Sequence, residues 1–273
     1  MHRFIIGLLI LFLPLLPGTL HAVAADRFII VQSTTSTQNS GLYDAILPLF
    51  TQKTGIAVRV VAVGTGQAIK NAERCDGDVL VVHAKRAEEA FVAAGYGLSR
   101  TDLMYNDFVL VGPASDPAVI VGMADPAAAL GRIAAARAPF VSRSDDSGTY
   151  KKEMELWKKS GLKPVSASAA WYRETGSGMG ATLNVAAAMN AYTLTDRATW
   201  IAFANKADLK ILVQGAPSLF NQYGIILVNP QHCPHVRVDD GRQFVNWMLS
   251  IEGQDAIAAF RVHGQPVFFL KPR

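Results

Sequence analysis

Ser142-Arg143-Ser144-Asp145-Asp146-Ser147-Gly148-Thr149, followed by Tyr150-Lys151-Lys152-Glu153-Met154-Glu155-Leu156-Trp157, decides the fold reading. Phe140-Val141 ahead of it reads as the end of a buried strand. Behind it, Tyr150, Met154 and Trp157 recur at helical spacing. A strand therefore turns into a helix through small hydroxyl residues and a glycine. Asp146 or Ser147 is placed to cap that helix. The first turn of a helix carries unpaired N–H donors and the positive end of a dipole, which suits an anion. Ser147 and Thr149 add hydroxyl donors, Gly148 lets the backbone come close, and Arg143 adds a charged fork that Asp145 is spaced to orient. An ordinary capped helix start fits the same residues, since Asp, Ser and Thr are common there.

The same pattern recurs upstream. Arg27-Phe28-Ile29-Ile30-Val31-Gln32 reads as the first strand. It ends in Ser33-Thr34-Thr35-Ser36-Thr37-Gln38-Asn39-Ser40-Gly41, more hydroxyls than one cap requires. Leu42, Ile46, Leu47, Leu49 and Phe50 then mark a helix that stops near Thr54-Gly55. A second strand, Val58 to Val63, runs into Gly64-Thr65-Gly66-Gln67-Ala68, a third strand-to-helix turn. Asp78-Val79-Leu80-Val81-Val82-His83 is a buried strand, and a helix follows from Lys85 to about Ala94. Alternating strands and helices predict an α/β fold with mostly parallel sheets, whose ligands sit beyond the carboxyl ends of the strands.

Two stretches resemble each other: Tyr105-Asn106-Asp107-Phe108-Val109-Leu110-Val111-Gly112-Pro113 and Asn221-Gln222-Tyr223-Gly224-Ile225-Ile226-Leu227-Val228-Asn229-Pro230. We read them as two crossover strands joining two lobes. Lobe one would comprise residues 26–112 plus 221–273, and lobe two residues 113–220. Lobe two holds an Ala-rich helix, Pro126 to Ala138, then the opening stretch. Its glycine-rich loop Trp171 to Gly180, read as hinge or tight turn, leads into a helix from Ala181 to Asn190. Arg197, after the short strand Ala191 to Thr195, suits either the cleft or a structural salt bridge. Gly241 to Phe260 reads as an amphipathic helix pair with Phe244, Trp247, Met248 and Leu249 as core.

Met1-His2-Arg3, the apolar run Phe4 to Leu16 and the small residues near Ala22 to Ala25 form a signal peptide pattern, residues 1–25, cleaved between Ala22 and Asp26. The expected location is the periplasm, with no lipid anchor, since no cysteine lies at the cleavage site. The 273 residues carry 26 Lys and Arg against 22 Asp and Glu, and losing Arg3 leaves about +3. No basic block suggests nucleic acid. Cys75 and Cys233 are the two cysteines, and the sequence leaves open whether they pair. His232-Cys233-Pro234-His235 fits no standard zinc spacing and reads as a surface loop.

Strand ends rich in Ser, Thr and Gly, with one arginine, donate many hydrogen bonds and accept few. That suits a small ionised oxyanion rather than a sugar or a metal cation. The rival reading is a serine hydrolase with Ser147 as nucleophile. It would need His83, His232, His235 or His263 as base, none of which sits in a recognisable motif.

At these residues the chain resembles the periplasmic tungstate-binding proteins of Tup ABC transporters. The matching motifs are Thr34-Thr35-Ser36-Thr37 with Ser40-Gly41, Val63-Gly64-Thr65-Gly66-Gln67-Ala68, Val81-Val82-His83-Ala84 and Met104-Tyr105-Asn106-Asp107-Phe108. Ser142-Arg143 with Asp145-Asp146-Ser147-Gly148-Thr149, Gly178-Met179-Gly180-Ala181-Thr182-Leu183-Asn184 and Tyr192-Thr193-Leu194-Thr195-Asp196-Arg197 match as well. The resemblance implies a two-lobed type II periplasmic binding protein, with no cofactor and no catalytic residue. It implies delivery of tungstate to permease and ATPase subunits, and we expect the protein to act as a monomer. Thr34, Thr35, Ser36, Arg143, Ser147, Gly148 and Thr149 would hold the ion, and the turn argument adds Thr65. Ser144 departs from the pattern, standing where many relatives have glycine. Residue types do not separate tungstate from molybdate, and sulfate remains open. Phosphate carries a proton that needs an acceptor, a role open to Asp145 unless Arg143 already occupies it.

Overall fold

The computed structural model describes residues 27–163 and 170–270. The signal peptide pattern lies outside them. β1 (Phe28–Thr34) leads through α1 (Thr35–Asn39) and α2 (Leu42–Thr54) to β2 (Ala57–Val63). α3 (Thr65–Glu73), β3 (Val79–Val82) and α4 (Lys85–Ala93) follow. β1 pairs in parallel with both β2 and β3. β3 is fully buried along its length, so it reads as an unbroken apolar run rather than an alternation. Its side chains still divide by face. Val79 and Val81 join a core with Phe50, Phe244 and Trp247, while Leu80 and Val82 join Ala68 and Phe91 on the other side.

β4 (Gly97–Pro113) is 17 residues long. α5 (Pro126–Ala135), β5 (Phe140–Ser142), α6 (Gly148–Lys159), β6 (Tyr172–Glu174) and α7 (Met179–Met189) follow it. Then come β7 (Thr193–Asp196), α8 (Arg197–Ala202), β8 (Leu209–Val213) and β9 (Phe220–Val228). α9 (Val238–Leu249) and α10 (Ile251–Ala259) complete the helices. β9 lies antiparallel between β3 and the first part of β4. The later part of β4 pairs antiparallel with β7 and β8. β5 and β6 are parallel to each other, and Phe140 bridges Tyr192 in parallel. Both regions thus keep parallel strands where the expected motifs lie and become antiparallel where β4 and β9 enter.

The first crossover stretch is only the later part of β4. The earlier part escapes a hydrophobicity reading because Arg100 and Asp102 interrupt it. They are tolerated because Arg100 pairs with Asp102 and with the fully buried Glu88. Leu103 and Met104 belong to the core of Phe50 and Phe244, whereas Phe108 and Leu110 belong to that of Phe140 and Trp157. β4 therefore passes from one core to the other across Tyr105–Asp107.

Strand β1 runs past the expected end at Gln32, because Ser33 and Thr34 continue the ladder opposite Ala62 and Val63. Backbone pairing is indifferent to the polarity of those side chains. Cys75, just beyond α3, forms a disulfide with Cys233, with Cα atoms 5.3 Å apart. This settles the pairing that the sequence left open, and turns Cys233 inward while its neighbours His232, Pro234 and His235 stay exposed.

Candidate functional site

The turns after β1, β2 and β5 and the end of β3 converge at the carboxyl ends of their strands, the usual ligand position in such sheets. Two glycines make the convergence possible. A Cβ on Gly148 would lie 2.4 Å from His83 Cε1 and 3.1 Å from Thr65 Oγ1, and one on Gly66 would lie 1.7 Å from Asp146 Oδ2. The Gly66 amide reaches the Asp146 carbonyl at 3.4 Å. The starts of α3 and α6, from different regions of the chain, are thus held face to face.

Ser147 is the N-cap of α6, its Oγ accepting from the Tyr150 amide at 3.1 Å. Arg143 is 3% exposed, and one guanidinium nitrogen donates to Asp145 Oδ2. The other Asp145 oxygen accepts from the Ser147 amide at 3.3 Å, so the acceptor considered for a phosphate proton is occupied. Ser144 holds a left-handed φ of 48° and donates to Glu174. That conformation favours glycine, which explains why glycine suits this position.

Three buried side-chain atoms here have no hydrogen-bond partner among the described residues: Thr65 Oγ1, Arg143 Nε and Thr149 Oγ1. Buried polar groups are rarely left unpaired, because each costs about 1–3 kcal/mol. The turn after β1 behaves differently. Thr34 caps α1 and bonds the hydroxyls of Ser36 and Thr37, at 3.1 and 2.8 Å. Ser33 bonds the Tyr43 hydroxyl and the Val81 carbonyl. Thr35 is half-buried and makes no side-chain hydrogen bond among the described residues.

His83 joins the two kinds of turn. Its Nδ1 lies 3.0 Å from Asn221 Oδ1 and its Nε2 lies 3.2 Å from Ser36 Oγ. The Asn221 amide nitrogen donates to Asn106 Oδ1 at 2.6 Å, so its oxygen must face the ring and accept from Nδ1–H. Nε2 is then the acceptor, and Ser36 donates to it. Burial lowers the His83 pKa to about 4, opposed by the Asn221 bond and reinforced by the charge of Arg143. Asp196, also fully buried, accepts from the amide and hydroxyl of Thr199. Burial raises its carboxyl, while Thr199 and Arg143 oppose the rise.

Arg197 donates twice to Asp107, at 2.7 and 2.6 Å, which resolves its reading in favour of the structural salt bridge. Asn106, Asn221 and Asp196 were not singled out for this site from the sequence, and His83 was given a role only as a base for the rival hydrolase reading. The signal was available for three of them: a histidine ending a buried strand, and an asparagine in each crossover stretch. Ser147 makes no hydrogen bond to a histidine among the described residues, and His83 is taken by Ser36 and Asn221.

A family model described as a PBP superfamily domain matches residues 20–252. A protein named tungstate-binding protein TupA, from Peptoclostridium acidaminophilum, is 44% identical over 255 residues, covering 92% of this chain and 88% of that protein. This chain is a member of the TupA family. A solved TupA tungstate-binding protein from Desulfovibrio alaskensis G20 is 52% identical, with a TM-score of 0.77 over 89% of this chain and 98% of that one. A solved protein described as the tungstate ABC transporter from Geobacter sulfurreducens is 47% identical, with a TM-score of 0.78 over 86% of this chain and all of that one. In this TupA-family chain no described helix is long and apolar enough to cross a membrane.

Proposed function

We propose that this chain captures tungstate, and with it the similar molybdate dianion, between its two regions and delivers it to the permease and ATPase subunits of an ABC transporter. The observation that carries the reading is the set of unpartnered donors, Thr65 Oγ1, Arg143 Nε and Thr149 Oγ1, buried around Gly148 and His83. A bare dianion supplies acceptors to all three. Arg143 provides the charge, the N-terminus of α6 provides its dipole, and Gly148 provides close backbone approach. Thr34, Thr35, Ser36 and Ser147 complete the set from the family motifs. Both oxygens of Asp145 and of Asp196 already take donors, which disfavours a protonated ligand such as phosphate.

The chain needs no cofactor and performs no catalysis in this reading. It works as a monomer in the periplasm after loss of residues 1–25. Residues 26–112 plus 221–273 close on residues 113–220, with β4 and β9 as the connections. Calorimetry with tungstate, molybdate, sulfate and phosphate tests the ligand. We expect one tungstate per chain, bound tightly. No heat from tungstate or molybdate would overturn the proposal. Scattering with and without tungstate tests closure, and N-terminal sequencing of exported protein tests the leader.

A further inference from the structure

A cleft of about 980 Å³ opens from the site, with buried His83 and Gly148 forming part of its wall. The sequence scatters its basic residues, but the fold gathers six of them here: Lys85 and Arg86 at the start of α4, and Lys151, Lys152, Lys158 and Lys159 along one face of α6. Three acidic side chains partly offset them. Glu89 faces Lys85, Asp146 faces Lys151, and Glu155 is shared by Lys152 and Lys159. Among the described ion pairs, none involves Arg86 or Lys158, and both are exposed. The local excess, six cations against three carboxylates, is about the size of the net charge left once Arg3 is lost.

We propose that the cleft is an electrostatic entrance that gathers oxyanions from solvent and sets their association rate, with Arg86 and Lys158 as its principal contributors. This rests on the oxyanion reading above. The cleft is far larger than one tetrahedral ion, and its cations stand on two separate elements, so it does not form a second fitted site. Its charges share the cleft wall with Gly148 and His83. A cleft lined by one sign of charge with low-dielectric walls focuses the field and raises local counter-ion concentration. Such a field reaches about 8 Å at physiological ionic strength, and it acts on encounter rather than on residence.

The test is stopped-flow fluorescence with tungstate as the probe, across ionic strength. The wild-type association rate should fall at least tenfold from low to high salt. An Arg86→Gln, Lys158→Gln double variant should associate about three- to tenfold more slowly at low salt, with a flatter salt dependence and a dissociation rate within twofold of wild type. Lys158→Glu should slow association further, and Lys210→Gln, on β8 and outside the cleft, should leave it unchanged. Normal association in the first two variants, or a loss expressed only in dissociation, overturns the entrance. Wild-type protein that binds no oxyanion overturns the reading beneath it, so the two failures are distinguishable. Unchanged circular dichroism confirms that these surface variants fold.

Discussion

The hydroxyl-rich turn after β1 and those after β2 and β5 use their hydroxyls in opposite ways. After β1, Ser33, Thr34, Ser36, Thr37 and Ser40 bond one another, a carbonyl, a tyrosine and a histidine. After β2 and β5, Thr65 and Thr149 remain unpartnered beside an arginine whose Nε is also unpartnered. Counting hydroxyls therefore overstates the donors available to a ligand. What matters is which of them the fold leaves unsatisfied, since only those gain a new bond instead of exchanging an old one.

The largest expected effect lies beneath the turns. Glu153, under the turn after β5, accepts from Ser142, Trp157 and Tyr172, yet burial raises its carboxyl to about 7. The folded state then holds a proton that the unfolded chain releases near pH 4.5. Its stability contribution is complete below that value and is lost as pH rises through 7, by roughly 2–4 kcal/mol. Glu153→Gln should flatten this loss in denaturant titrations between pH 5 and 8. His83 has the opposite sign. Its lowered pKa means that stability falls as pH drops from about 6.5 toward 4, and His83→Gln should blunt that fall. If both variants track wild type, the two sites are not coupled to folding in this way.

Next comes the charge. Arg143→Ala should weaken tungstate binding by about 1.5–3 kcal/mol in calorimetry, and unchanged affinity would remove Arg143 from the site. Thr149→Val and Thr34→Ala then sharpen the contrast between turns. Thr149→Val should lower affinity by about 0.5–1.5 kcal/mol without destabilising the free protein, because its hydroxyl has no bond to lose. Thr34→Ala should cost about 1 kcal/mol of folding stability as a lost cap, with a smaller effect on binding. The reverse pattern would break the comparison. The smallest effect is Ser144→Gly, which relieves a left-handed backbone and should raise stability by no more than about 1 kcal/mol, net of the bond to Glu174. A fall in the denaturant midpoint would show that the Glu174 bond outweighs the strain.

The α/β alternation was legible because β3 is a solid apolar run and the turns carry cap and glycine signals at strand ends. The position of Arg143, Gly148 and Thr65 just beyond strand ends was legible for the same reason: a strand end is a local feature. The role of His83 was not, since it depends on Asn221 and Asn106, residues brought beside it by two strands that are remote in sequence. The saturation of the Thr34, Ser36 and Thr37 hydroxyls was equally hidden, because composition counts groups and not their partners. Length and polarity concealed the first part of β4, where Arg100 and Asp102 look like solvent-facing residues until Glu88 is placed beside them.

The bridge between Cys75 and Cys233 encloses a span of 158 positions, which includes all of β4 to β9. A protease that nicks the chain once anywhere in that span does not release a fragment, because the two pieces stay covalently joined. Such a cut would be silent on a gel run without reductant and would appear as two bands once thiol is added.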